Sequence, residues 1–210
     1  IPNGIDTLSF INRPFNYVRK KRDGLLTIAA LGRLVPQKNF EFLIPVAQEL
    51  KKRDISFRIL IGGKGTQEIF LRSLVSENNL EKEIEFLGFF ENPKDLLMSA
   101  DIFLLPSLWE GFGYVVAEAS LSCLPVVAFD ISSNAEVIDK STGFLTDPHK
   151  VIPFCDKIEY LYLNPKERIA IGKAGRAFIN KNFDAKLIFQ RIEDYLSLIH
   201  ISEPTRLGFI

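Results

Sequence analysis

The chain has 210 residues, 47% apolar and 25% charged, enough to bury one sizeable core. Its 26 Lys and Arg balance 26 Asp and Glu, so no overall field exists to hold nucleic acid, and no apolar run approaches the ~20 residues of a membrane span. Two cysteines without metal-ligand spacing and only two histidines argue against a zinc or redox centre and for reduced thiols.

The chain opens Ile1-Pro2-Asn3-Gly4, with no initiator methionine or signal sequence, and is expected to be an excerpt of a longer polypeptide whose residues 1–24 form a linker. Leu25–Leu31 is apolar throughout and predicts a buried strand. Phe40–Lys52 places Phe40, Leu43, Ile44, Ala47 and Leu50 on one helical face. The alternation then recurs as Phe57–Ile61 (strand), Gln67–Glu77 (helix), Ile84–Leu87 (strand) and Pro93–Ser99 (short helix). It continues as Ile102–Leu105 (strand), Phe112–Ser122 (helix), Val126–Phe129 (strand), Ala135–Ile138 (a helical turn) and Gly143–Thr146 (strand). Strands that are apolar on both faces and joined by helices predict an α/β, Rossmann-like doubly wound parallel sheet over residues 25–182. Helices follow near Val151–Leu163, Pro165–Asn180 and Ala185–Ile199; the last, over 183–199, is set apart as a C-terminal helix. Residues 200–210 predict a poorly packed tail, foreign in character to what precedes it.

In a doubly wound sheet, ligands bind beyond the carboxyl ends of the strands, and most of the polar punctuation falls there. After the first strand, Gly32 to Lys38 carries two cations five positions apart, Arg33 and Lys38. After the second, Gly62-Gly63-Lys64-Gly65 lets backbone approach a ligand closely. After the third comes Gly88-Phe89-Phe90, and after the fourth the element Glu110-Gly111-Phe112-Gly113 through Glu118. This last is a strand, a glycine turn and a helix N-terminus, whose unpaired N–H groups and dipole favour an anion. Glu110 in the loop and Glu118 two turns into the helix are acceptors for sugar or ribose hydroxyls. Two cations, backbone donors and two carboxylates opening onto one crevice describe a site for a diphosphate flanked by hydroxylated rings.

These residues resemble the C-terminal, nucleotide-sugar-binding half of the retaining GT-B glycosyltransferases of the GT4 group. The resemblance is carried by Ile1 to Asp6, Gly32-Arg33-Leu34 with Lys38, Ile61 to Gly65 and Phe86-Leu87-Gly88-Phe89. It continues through Ser107 to Gly113 with Glu118-Ala119, Pro125 to Ala128, Glu136-Val137-Ile138 and Thr142 to Leu145, in the family's order over residues 1–198. It implies that Arg33 and Lys38 grip the donor diphosphate, that Glu110 contacts the donor sugar and that Glu118 holds the ribose. Gly32 and Gly63 let backbone approach the donor, Gly88 and Phe89 belong to the segment that receives the nucleobase, and Phe112 and Gly113 add backbone N–H groups.

The donor is expected to be a UDP-, GDP- or ADP-sugar, handled without a metal; no Asp-x-Asp motif is present. The acceptor is a glycan or lipid-linked molecule held by an N-terminal domain outside this chain, so the chain alone is expected to be inactive. A cytoplasmic location follows, with peripheral contact at the inner face of a membrane. An alternative from another class is a nucleotide-sugar-binding module without transferase activity of its own. Asp130 to Asn134 departs from the family's glycine pair, leaving Glu136 only a contributor to the sugar site. The Trp109 and Phe112 rings are expected in the core, Arg19-Lys20-Lys21-Arg22 in a solvated connector, and Leu187, Ile188, Ile192, Tyr195, Leu196 and Ile199 on an apolar stripe that lacks cover.

Overall fold

A computed structural model of the protein describes residues 3–14 and 24–202. Among them, six parallel strands form one sheet: β1 (Leu26–Leu31), β2 (Phe57–Gly62), β3 (Ile84–Gly88), β4 (Ile102–Leu105), β5 (Val126–Phe129) and β6 (Gly143–Thr146). The helices are α1 (Thr7–Asn12), α2 (Leu43–Lys52), α3 (Glu68–Glu77), α4 (Pro93–Leu97), α5 (Tyr114–Leu121), α6 (Ser132–Val137), α7 (Val151–Leu163), α8 (Pro165–Phe183) and α9 (Ala185–Ser202). The strand order is β3-β2-β1-β4-β5-β6, so the direction of winding reverses between β1 and β4. That switch point opens a crevice at the carboxyl edge of the sheet.

Period-two alternation sorts the strand side chains into two cores. Ile28, Ala30, Ile59, Ile61 and Leu104 pack with α2, α3 and α7 on one face. Ala29, Leu31, Leu60, Phe103 and Leu105 pack with α1, α4, α5 and α8 on the other. Burial on both faces is what the unbroken apolar runs demanded. β1 and β2 stay in register from Leu26↔Phe57 to Leu31↔Gly62, whereas the β2–β3 pairing slips between Ile61 and Gly62. The slip releases the chain into the glycine loop that follows. On the first face, Arg53 joins α2 to α7 by donating to Glu49, Asp156 and Glu159 at 3.0, 2.8 and 2.7 Å, which holds its guanidinium charged more firmly than usual.

Several element boundaries differ from the sequence reading. Residues Phe40–Phe42 form a 3-10 turn before α2, α6 begins at Ser132 rather than Ala135, and α8 runs to Phe183. The helix α9 continues to Ser202, so the backbone of His200 to Ser202 is helical and not an irregular tail; residues 203–210, Ile1, Pro2 and the Arg19 to Arg22 cluster lie outside the described residues. Ile188 is buried, while Leu187, Tyr195 and Leu196 of the α9 stripe stand exposed. Ile5 forms a parallel bridge beside Asp184, accepting from Ala185 N–H at 2.9 Å and donating to Phe183 at 2.8 Å. No described helix is long and apolar enough to cross a membrane.

Candidate functional site

The loops after β1, β2, β3 and β4 do open onto one cleft, of about 730 Å³. Gly32, Arg33, Lys38, Gly63, Phe89, Glu110, Phe112, Gly113 and Glu118 all line it. Gly88 does not: at φ +75° it turns the chain out of β3, and its carbonyl accepts from Gly63 N–H at 2.6 Å. Its place is in the scaffold of the cleft.

The two loops flanking the switch point are laced together. Leu108 N–H donates to Gln37 at 2.9 Å, the Gln37 amide donates to the Trp109 carbonyl at 2.9 Å, and the Asn39 amide donates to the Pro106 carbonyl at 3.1 Å. Asn39 sits in the left-handed region at φ +52°, which its short polar side chain tolerates, and so breaks the run of helical turns after Lys38. That break carries Lys38 across the crevice. Its ammonium donates to Glu110 Oε1 at 2.5 Å, in a pair whose side chains are 11% and 8% exposed. The sequence assigned these two to different parts of a ligand; in the structure they are first each other's partners. A cation and an anion desolvated together neutralise one another where neither is stable alone.

The floor of the cleft is backbone against backbone. A Cβ at Gly63, where φ is +138°, would stand 1.9 Å from the Gly32 carbonyl oxygen, and one at Gly65 would stand 2.2 Å from that of Leu34. Gly113, at φ +72°, is the N-cap of α5 and its carbonyl accepts from Val116 and Ala117. The earlier N–H groups of that helix, those of Tyr114 and Val115, are thus unshared within the helix, and both residues line the cleft. The Phe112 ring packs into the core against Tyr114 and Phe183 at 5.0 and 5.4 Å. Trp109 is the opposite of what was expected: its indole is 57% exposed, because the loop is anchored through its carbonyl and not its ring.

Glu118 lies half-buried among apolar neighbours of α5, with no side-chain hydrogen bond among the described residues. Burial pushes its carboxyl up to about 7, against the pull of the nearby Arg13 guanidinium. The folded state therefore holds this proton more tightly than the unfolded chain, and the stability that this contributes is greatest below the ordinary value of 4.5 and falls as pH rises to about 7. Phe89, 69% exposed, presents a free ring at the β3 side. Glu136 is exposed and does not line the cleft. Sequence reasoning missed Gln37, Asn39, Lys64 and Tyr114; only the glycines around Lys64 and the Asn after Lys38 gave a local signal.

The sheet order and helix placement are those of the Rossmann-like C-terminal domain of a GT-B glycosyltransferase, as solved structures bear out. A mutant of Staphylococcus aureus TarM in complex with fondaparinux, α-GlcNAc-glycerol and UDP superposes with a TM-score of 0.76 at 25% identity, over 86% of this chain and 38% of that one. Anabaena HepE in complex with UDP-glucose gives 0.74 at 26%, over 82% and 48%. The C-terminal domain of LpcC, a glycosyl transferase group 1 family protein of Francisella tularensis, gives 0.70 at 26%, over 86% of this chain and 99% of that one. Residues 16–178 match the profile of the family described as glycosyl transferases group 1, and the chain belongs to that family. Among curated relatives, the putative glycosyltransferase EpsF of Bacillus subtilis is 33% identical over 70% of this chain and 39% of its own length. The poly(ribitol-phosphate) alpha-N-acetylglucosaminyltransferase of Staphylococcus aureus is 28% identical over 78% and 34%. The chain thus spans between a third and two fifths of the length of these two relatives.

Proposed function

We propose that this chain is the donor-binding half of a retaining glycosyltransferase of the GT4 group, which moves a sugar from a nucleoside diphosphate donor to a glycan or lipid-linked acceptor. The observation that carries the reading is the convergence of Arg33, Lys38, Glu110 and Glu118 on one cleft at the switch point, beside the free N–H groups of α5. Arg33 and Lys38 stabilise the charge that develops on the leaving diphosphate, with no metal required, and the helix dipole adds to them. Glu110 is held by Lys38 where it can receive sugar hydroxyls, and Glu118 receives the ribose. Phe89 offers its ring to the base. UDP complexes among the similar structures make a uridine donor the first to test, beside GDP and ADP. Acceptor binding and exclusion of water from the reacting bond need a second wall, so the chain alone binds donor without turning it over. The enzyme works in the cytoplasm, in peripheral contact with the inner membrane face where the acceptor is lipid-linked.

Titration of the chain with UDP, GDP and ADP tests the reading. At least one is expected to bind, and Arg33→Ala to weaken it by about tenfold or more, the loss of a charge-assisted contact. Absence of binding by all three overturns the proposal. The pH dependence is a second test. Hydroxyl donors favour the ionised carboxylate, so uridine affinity should rise about tenfold from pH 6 to 8 as Glu118 ionises near 7, and Glu118→Gln should flatten the profile. A wild-type profile that is already flat removes Glu118 from the ribose site.

A further inference from the structure

We propose that Lys64 is a third cation of the nucleotide site, holding the phosphate nearest the ribose; this rests on the nucleotide reading of the cleft. The residue lines the cleft but belongs to neither flank of the switch point. It sits after β2, and β2 lies between β1 and β3 in the sheet. Lys64 therefore stands between the loop of Arg33 and the loop of Phe89, on the line from diphosphate to base.

Its position is fixed although its side chain is exposed. Leu34 N–H donates to the Lys64 carbonyl at 3.0 Å, Gly32 N–H to that of Gly62 at 3.0 Å, and Gly63 N–H to that of Gly88 at 2.6 Å. The glycines on either side of it are pressed onto the β1 loop as described above. The main chain from which Lys64 springs is thus held by hydrogen bonds, so gripping an ion costs the ordering of its side chain without that of a loosely held loop as well.

Charge balance supplies the second observation. Lys38 is neutralised by Glu110, whereas neither Arg33 nor Lys64 has an ion-pair partner among the described residues. Both are exposed cations on loops that hydrogen-bond to each other, so their fields add at the cleft they line and favour an anion there. A nucleoside diphosphate sugar carries two negative charges at neutral pH; Arg33 meets them with its full charge, Lys38 shares its charge with Glu110, and Lys64 supplies the second uncompensated cation. Phosphate is preferred to a base carbonyl as the partner of Lys64, because a charge-assisted bond to an anion is about twice as strong as one to a neutral acceptor.

The test compares the wild type with Lys64→Gln and Lys64→Arg by calorimetric titration with UDP and with uridine at low and high salt. Lys64→Gln should weaken UDP about five- to tenfold, flatten its salt dependence and leave uridine unchanged, while Lys64→Arg restores most of the loss. Equal losses for UDP and uridine, or UDP affinity within twofold of the wild type, overturn the assignment of Lys64. Failure of the wild type to bind UDP, GDP or ADP at all would instead sink the nucleotide reading on which it rests. Because Lys64 is exposed and its main-chain bonds persist in each variant, unfolding midpoints should coincide and confirm that binding alone has changed.

Discussion

Gly63→Ala is expected to destabilise the protein by about 3 kcal/mol or more and to abolish nucleotide binding. The methyl group would meet the Gly32 carbonyl at 1.9 Å, a backbone atom that cannot rotate away, at a φ of +138° that alanine seldom adopts. Relief requires the β1 and β2 loops to part, which breaks the bonds from Gly32 to Gly62 and from Leu34 to Lys64. Those loops carry Arg33 and the floor of the cleft, so the fold and the site fail together. In a domain of this size the loss corresponds to a fall of roughly 6–12 °C in the unfolding midpoint. Gly111→Ala is the contrast. It also lines the cleft, yet a Cβ there meets nothing within 4 Å, and stability should change by less than about 0.5 kcal/mol. Equal midpoints for the two variants would refute the close approach.

The second large effect concerns the ion pair across the switch point. Lys38→Met should cost about 3–5 kcal/mol, because it strands the Glu110 carboxylate, only 8% exposed, without its cation. Glu110→Leu strands the ammonium in turn. The double variant Lys38→Met with Glu110→Leu should recover most of the loss, since removing both charges also removes both desolvation penalties. Denaturant unfolding of the four proteins gives the coupling as a double-mutant cycle. Additive losses would mean that the pair is solvated and contributes little. None of the three variants should retain nucleotide-sugar binding, whatever its stability, so stability and binding separate in the double variant.

Much of the fold was legible because both faces of the sheet are buried. Ile102–Leu105, Val126–Phe129 and Gly143–Thr146 are strands at the bounds their apolar runs suggest. Helix ends were less legible. Nothing local announces that Phe40–Phe42 winds as a 3-10 turn or that α8 persists to Phe183, since packing and not propensity settles those last turns. In the site, the loops after the strands named most of the lining in advance. What could not be read was the partnership of Lys38 with Glu110, 72 positions apart, and the lacing by Gln37 and Asn39 that produces it. Such pairings arise only once the sheet order has brought β1 beside β4. The exposure of Trp109 was hidden for a similar reason: a large aromatic ring argues for the core until the anchoring of its loop through a carbonyl is known.

The meeting of the β1 and β2 loops through main-chain atoms divides the cavity into parts with different histories open to them. Where Gly63 and Gly65 touch their neighbours, no side chain is available to be exchanged, and most substitutions there are ruinous. Lys64, Phe89 and Tyr114 stand exposed around that bed and can be swapped with little harm to it. Drift can therefore repaint the rim of this cavity, and with it the choice of ligand, while the bed beneath keeps its shape.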